Sequence, residues 1–485
     1  MGTVYTPCEP DNTPGTPVEC LHSCLVGVGC VACDPGGTVC VGNDVHDCGP
    51  DGQPEPGVVS TCDPNAGQVC SNGACADACT VASDQPSNVG CEFWAVDLDQ
   101  QDGFNDPASE PWGVVLSNAG ESAADVTIEI NTAPQGQPVV TQVVAQVNVP
   151  AGDLVQQILP TRELDCGVQP NDYASPGTCL SSLAYRIRST RPIVVYQFNV
   201  FTNAYSNDAS LLLPTNALGT QYRVIGWPAG HPILIDFPGL PKILDRSYVT
   251  IVGVTANTTV HVKPSWRIKG NPPIAATPAG GGIDVVLGPF DVLNLETDDG
   301  TMQDDIKTIT DLSGTLVQAN APVAVFSGVE STGAPGGVVD IPTPPGWTSD
   351  STCCLDHLED QMFPIEAVGT HYVITRSPIR STGSFHEPDV LRFLGVAETA
   401  TVDTNLPAPF DHFTILPGEV KTTWAQEDIV VTATKPVMIG QVLISNQYVD
   451  GSYIGDPSLT VFPPVEQFRT EYVILTPNSW TQNWV

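Results

Sequence analysis

Three copies of one short motif decide the fold: Gly219-Thr-Gln-Tyr-Arg-Val-Ile225, Gly369-Thr-His-Tyr-Val-Ile374 and Arg469-Thr-Glu-Tyr-Val-Ile474. Each copy has a tyrosine three residues after its first position and continues into β-branched residues, a composition that favours strands. Motifs that recur in order along a chain indicate a repeated structural unit. The sequence therefore predicts several copies of one β unit.

A second motif alternates with the first along the chain: Arg191-Pro-Ile-Val-Val-Tyr196, Ala321-Pro-Val-Ala-Val-Phe326 and Lys435-Pro-Val-Met-Ile439. We expect each proline at the head of a strand, where the first residue need not donate to the ladder. Short alternating runs separated by Gly and Pro, without long helical periodicity, predict an all-β fold. Tandem β-sandwich-like repeats fit the unit lengths, and a β-propeller is the alternative.

The motifs divide the 485 residues into five segments. We expect a disulfide-rich coil module at 1–90 and three β repeat units at 91–215, 216–365 and 366–465. Residues 466–485 are expected to be the start of a truncated unit or a closing strand. A chain of this length exceeds what one hydrophobic core supports, so several modules are expected.

The cysteines predict the compartment, because eleven of the 16 fall within the first 79 residues. Such density in a Gly- and Pro-rich stretch indicates that disulfides replace a core, as in secreted proteins. The Cys30-x-x-Cys33 spacing also suits zinc, but no matching downstream pair exists. The chain is therefore expected to be extracellular, its signal peptide being absent from this sequence. The candidate disulfide cysteines, with connectivity open, are Cys8, Cys20, Cys24, Cys30, Cys33, Cys40, Cys48, Cys62, Cys70, Cys75, Cys79, Cys91, Cys166 and Cys179.

Charge excludes two classes of partner. There are 54 acidic residues against 17 Lys and Arg, a formal net charge of −37. A nucleic-acid-binding face needs clustered cations, so nucleic acid is not expected as a partner. No run of 18 uncharged apolar residues exists, so no membrane span is predicted.

Four longer segments carry a resemblance: Gly90-Cys-Glu-Phe-Trp-Ala-Val-Asp97, Ser206-Asn-Asp-Ala-Ser-Leu-Leu-Leu-Pro214, Cys353-Cys-Leu-Asp-His-Leu-Glu-Asp-Gln361 and Gly455-Asp-Pro-Ser458. Over about residues 90–485 the chain resembles the N-terminal domain of IgGFc-binding proteins, found in animal mucus proteins and secreted bacterial proteins. The resemblance implies an extracellular, β-rich domain of adhesive or mucus-like function. Because no catalytic motif occurs in the sequence, enzymatic activity is not expected. The leader resembles spacers of secreted bacterial proteins, so a bacterial surface protein is expected. The ligand stays open as a protein or a glycan.

One acidic loop predicts calcium, the only cofactor that the sequence suggests. Its oxygen-bearing residues are closely spaced around a Gly turn, as hard cations require, although the register departs from an EF-hand. A solvated turn is the alternative interpretation. The candidate ligands are Asp97, Asp99, Asp102, Asn105 and Asp106.

The long inter-strand loops at 228–242 and 333–364 are the predicted recognition elements, because binding residues concentrate on loops. Their candidate contact residues are Trp227, His231, Trp347, Asp356, His357 and Glu359. Asp356, His357 and Glu359 also form the densest group of acid–base side chains, for which a purely structural role is the favoured interpretation. The alternative to an adhesion module is a structural subunit of a surface layer or fibre, self-associating through β edges with calcium.

Overall fold

The computed structural model confirms an all-β fold. It describes residues 4–7, 15–20, 22–25, 28–84, 87–101, 107–164, 177–201, 206–229, 245–298, 310–348, 355–451, 454–469 and 472. One α-helix, α1 (Ala78–Ser83), occurs in these ranges. The remaining elements are strands and short 3-10 turns, which the abundance of Gly and Pro between short β-branched runs favours.

The leader is held together by disulfides that staple short hairpins. Its strands are β1 (Val4–Tyr5), β2 (Val18–Glu19), β3 (Ser23–Leu25), β4 (Gly29–Val31), β5 (Thr38–Val41), β6 (Asp44–Cys48), β7 (Pro54–Thr61), β8 (Gln68–Ser71) and β9 (Ala74–Asp77). Five disulfides join Cys20–Cys30, Cys33–Cys48, Cys40–Cys70, Cys62–Cys75 and Cys79–Cys91. Cys179 is also disulfide-bonded, whereas Cys8 and Cys166 lie outside the described residues. The last of the five bridges ties the leader to the β region.

Three large sheets follow the leader. The first contains β10 (Gly90–Ala95), β11 (Gly113–Asn118), β12 (Ala124–Asn131), β13 (Thr141–Val149), β14 (Asp153–Ile158), β16 (Tyr185–Asn199) and β17 (Asp208–Leu211). The second contains β15 (Cys179–Ser181), β18 (Gly219–Arg223), β19 (Ser247–Gly253), β20 (Thr258–Lys263), β21 (Ile283–Leu287), β22 (Val292–Glu296), β23 (Leu316–Thr332) and β24 (Asp356–Gln361). The third contains β25 (Gly369–Ile374), β26 (Asp389–Gly395), β27 (Ala400–Thr404), β28 (His412–Ile415), β29 (Val420–Ala425), β30 (Ile429–Leu443) and β31 (Ser458–Val461).

One long strand organises each sheet: β16, β23 and β30 each pair with four shorter strands. The second motif lies inside these strands, so the expectation that its prolines head a strand is wrong. Pro322, for example, lies after the residues of β23 that pair with β20 and before those that pair with β19. Because the ladder changes partners there, the missing N–H leaves no hydrogen bond unmade.

The tyrosine of the first motif joins the strand that carries the motif, β18 or β25, to the long strand of the same sheet, β23 or β30. The Tyr372 hydroxyl accepts a bond from Gly369 N–H at 3.1 Å and donates to the Val437 carbonyl at 2.5 Å. Tyr222 makes the same pair of bonds in the second sheet. A side chain at Gly369 would collide with Pro464, since an added Cβ lies 2.5 Å from that ring. The motif therefore encodes a local bulge that a buried hydroxyl bridges.

We expect Tyr372→Phe to lower the free energy of unfolding by about 1–3 kcal/mol, because it leaves a buried donor and acceptor unpaired. The change is measured as a shift of the urea midpoint. Tyr472→Phe is the matched control, since Tyr472 makes the Arg469 N–H bond but is 59% exposed. Equal effects of the two substitutions would contradict a structural role for the buried hydroxyl.

The second sheet packs against both of the others. Tyr248, Phe290 and Phe326 of the second sheet region join the core formed with Phe93 and Trp94 of the first. A separate core combines second-sheet residues with Leu394, Val396, Met438 and Val461. The three sheets are therefore joined by shared hydrophobic cores, and the polar groups between them are enclosed.

Candidate functional site

Acidic side chains collect where β17, β24 and β31 meet. The Asp208 carboxylate accepts bonds from Glu359 N–H at 3.1 Å and from the Ser458 hydroxyl at 3.3 Å, so it joins all three strands. The Ser210 hydroxyl donates to Glu359 Oε1 at 2.9 Å. We call this group, with Asp356, His357 and Asp360, the acidic junction.

Burial dominates the ionisation of the acidic junction. Removal from water raises the pKa of Glu359 to about 8 and that of Asp208 to about 7, since it penalises the charged form. For the same reason burial lowers the pKa of His357 to about 4. His357 Nε2 lies 3.5 Å from Glu359 Oε2, and at neutral pH we expect a neutral imidazole beside a largely protonated carboxyl.

Asp356, His357 and Glu359 of the acidic junction lack the access that acid–base catalysis requires, whereas Asp208 and Asp360 are partly buried. His357 and Glu359 are 0% exposed and Asp356 is 3% exposed. A general acid or base must come within hydrogen-bond reach of a substrate, and these groups contact other strands instead. Their arrangement suits structural hydrogen bonding between the sheets.

The predicted loop residues occupy different environments. Trp227 is 2% exposed, and its indole N–H donates to the Gly333 carbonyl at 3.2 Å, so it is a core residue. Trp347 is half-buried and stacks on Tyr448 with ring centroids 5.2 Å apart. His231 lies outside the described residues.

The 333–348 loop contacts the segment that follows β30 near both of its ends, through Ala334 on Ser445 and through Trp347 on Tyr448. Ala334 N–H donates to the Ser445 hydroxyl at 3.0 Å, and Ser445 N–H donates to the Ala334 carbonyl at 2.9 Å. Val338, Val339 and Ile341 pack, only partly buried, on the same core as Trp347. This anchored loop presents half-exposed apolar side chains with Asp340 as its single charged residue.

Asp97 and Asp99 of the predicted calcium loop have different partners in the structure. Asp97 accepts a bond from Arg162 N–H at 2.8 Å, and burial raises its pKa well above the usual range. Asp99 turns instead toward Glu296 and Glu330 of the second sheet, whose ligand atoms lie with its own within 4.8 Å. Asp102, Asn105 and Asp106 lie outside the described residues.

Sequence reasoning missed Glu296 and Glu330 because they lie about 200 residues from Asp99 in the chain. Each ends or nearly ends an apolar strand, as in Val292-Leu-Asn-Leu-Glu296. An acidic residue within an apolar strand could have indicated these groups, because a buried carboxyl group needs a polar or charged partner. The partner itself is visible only once the sheets are packed.

The edges of the first sheet expose apolar residues. Val140 and Val143, at and beside the start of β13, are 56% and 47% exposed, and Ile158 of β14 is 59% exposed. No charged residue occurs from 132 to 152. Exposed apolar edges favour pairing with another chain, so self-association through this edge stays a prediction.

Comparison with known proteins decides the family. The family described as IgGFc binding protein matches residues 208–485, more than half of the chain. The chain belongs to the IgGFc-binding protein family. The human (Homo sapiens) IgGFc-binding protein is 24% identical over 268 residues, which are 55% of this chain and 4% of that protein. Among solved structures there is no significant match.

The family match covers the acidic junction, the second sheet except for β15, the third sheet and the 333–348 loop. It begins at β17, so most of the first sheet lies outside it. The family is described by binding rather than by catalysis. None of the helices in the described ranges is long and apolar enough to traverse a bilayer. Membership and the disulfides together indicate an extracellular binding module.

Proposed function

We propose that this IgGFc-binding family member recognises a protein partner through the 333–348 loop, with the Fc region of IgG as the first partner to test. The observation that carries the proposal is the contact of this loop with the segment after β30, where Ala334 exchanges two hydrogen bonds with Ser445 and Trp347 stacks on Tyr448. A loop held in one conformation loses little entropy on binding, so its contacts contribute more to affinity.

The composition of the loop supports a protein contact. Aromatic and aliphatic side chains surrounded by polar residues form the energetic centres of interfaces. Val339 and Trp347 have this character, and they lie in a nearly uncharged segment of a chain with net charge −37. The loop also lies within the segment that matches the family.

We expect Val339→Lys to weaken binding to immobilised Fc fragment at least tenfold, because it places a charge in an apolar contact. Binding is measured by surface plasmon resonance, with Fab as the negative control. Val140→Lys on the first-sheet edge is the matched control and should bind as the unsubstituted chain does. Circular dichroism verifies that both variants fold.

Three results would contradict parts of the proposal. Absence of Fc binding by the unsubstituted chain removes Fc as the partner. Equal Fc binding by Val339→Lys and by the unsubstituted chain would exclude the 333–348 loop as the binding surface. Loss of binding on enzymatic removal of the Fc glycan alone would assign recognition to a glycan, the other ligand class that the sequence leaves open.

A further inference from the structure

Three carboxylates converge between the first and second sheets. Asp99 follows β10, Glu296 ends β22 and Glu330 lies near the end of β23. One ligand atom from each lies within 4.8 Å of the others. Asp99 is 1% exposed and Glu296 is 0% exposed, so two of the three charges are removed from water.

Glu296 has one oxygen without a hydrogen bond in the part of the chain that the structure describes. Its Oε2 accepts a bond from Gly177 N–H at 2.9 Å and lies 3.5 Å from Arg246 Nη1, while Oε1 is buried without a partner. An unpaired buried carboxylate oxygen is costly, so its persistence requires compensation.

The unpaired oxygen points at Asp99. A Cβ added at Gly177 would lie 1.8 Å from Glu296 Oε1 and 2.5 Å from Asp99 Oδ2, so both oxygens face the same small space. Glycine is required there because any side chain would fill this space. The Asn294 amide donates to Asp99 Oδ2 at 3.2 Å, and its oxygen accepts from the Thr250 hydroxyl at 2.7 Å, which holds Asp99 in position.

We propose that Asp99, Glu296 and Glu330 bind one divalent cation, of which calcium fits best, and that this ion joins the first and second sheets. Ligand oxygens lie roughly 2.3–2.6 Å from Ca²⁺, so opposite ligands are separated by about twice that distance. The observed separation within 4.8 Å therefore permits shared ligation without backbone movement. Oxygen-only donors select hard cations over zinc or copper.

The donor set suits a cation. All three groups are carboxyl groups, the ligand type that calcium takes in proteins. Arg246 Nη1 lies 3.5 Å from Glu296 Oε2, the oxygen that already accepts a bond from Gly177 N–H, so the other oxygen of Glu296 is left for an ion. This proposal does not rest on the proposed partner recognition, because none of the three ligands belongs to the 333–348 loop.

The test uses the full chain after treatment with a chelator. We expect added CaCl₂ to raise the melting temperature by several degrees, since an ion that binds only the folded state stabilises it by mass action. Calorimetric titration should give about one ion for this site. Glu296→Gln should reduce calcium affinity at least tenfold, whereas Glu427→Gln, an exposed control, should bind calcium as the unsubstituted chain does.

A second variant separates loss of the ion from loss of folding. Asp99→Asn keeps the size of the side chain but weakens its ligation of a hard cation, so circular dichroism in chelator should show a folded chain whose melting temperature does not respond to calcium. No calcium response by the unsubstituted chain would overturn the proposal. An undiminished response by Glu296→Gln and Asp99→Asn would overturn it equally.

Discussion

Arg392→Met is expected to lower the free energy of unfolding by about 3 kcal/mol, because it removes a buried guanidinium from Asp311, whose side chain is 24% exposed. Arg392 is on β26 of the third sheet and is 2% exposed. Its guanidinium donates to Asp311 Oδ2 at 2.6 Å, to the Ser313 hydroxyl at 2.8 Å and to the Gly226 carbonyl. It therefore fastens the third sheet to segments of the second.

The loss arises mainly from the groups that remain. Without the guanidinium, the Asp311 carboxylate and a buried carbonyl lose their partner, whereas methionine retains much of the packing over Trp227. Adding Asp311→Asn to Arg392→Met should recover part of the stability, because it removes the uncompensated charge.

The comparison is made by urea denaturation. Lys435→Met is the control, since the Lys435–Glu398 pair at 2.9 Å is solvent-exposed and should contribute less than about 1 kcal/mol. A loss from Arg392→Met no larger than that of the control would show that the contact between the sheets does not depend on Arg392.

Stability is expected to fall as the pH rises from 6 to 8, because of the acidic junction. Burial raises the folded-state pKa of Glu359 to about 8 and of Asp208 to about 7, above their usual values. In this range the folded chain holds more protons than the unfolded chain, so folding is favoured at the acidic end. Each such group changes the free energy of unfolding by at most about 1.4 kcal/mol per pH unit.

His357 acts in the opposite direction at lower pH. Its folded-state pKa of about 4 means that the unfolded chain binds the additional proton between about 4 and 6.5. The contribution of His357 to the free energy of unfolding therefore increases as the pH rises through that window. This increase offsets part of the decrease that the carboxyl groups cause there. Above about pH 6.5 the carboxyls act alone, and the fall is steepest.

Glu359→Gln removes the buried carboxyl group whose pKa is raised to about 8, while it preserves the shape of the side chain. We expect its melting temperature to depend less on pH between 6 and 8, and to exceed that of the unsubstituted chain at pH 8. Glu398→Gln, on the exposed surface, should leave the pH dependence unchanged. A melting temperature that rises with pH over this range in the unsubstituted chain would contradict the ionisation described for the acidic junction.

Repeated motifs predicted the β unit, but their local roles depend on pairing partners. The Gly-Thr-x-Tyr pattern identified the leading strands β18 and β25, because its spacing is local. The second motif identified a strand but not its extent. Pro322 lies inside β23, a strand of 17 residues, between the part that pairs with β20 and the part that pairs with β19. The local sequence does not show which strands these partners are.

The candidate site was predictable only for residues that are close in sequence. Asp97 and Asp99 alternate on one segment, yet the structure turns them to different partners, Arg162 and the Glu296 group. Trp227 was interpreted as a loop residue because Gly226 and Pro228 flank it, and His357 because it lies in the long segment between two repeated motifs. Both are buried in the structure.

The sequence alone determined the all-β class, the repetition and the disulfide-dense leader, since period, turn chemistry and cysteine density act over a few residues. Tertiary structure alone decided which acids share a space. Asp208 meets Glu359 across about 150 residues, and Asp99 meets Glu296 across about 200. The energies that govern these groups, desolvation and Coulomb interaction, depend on distance in space and on exclusion of water, neither of which exists until the sheets pack.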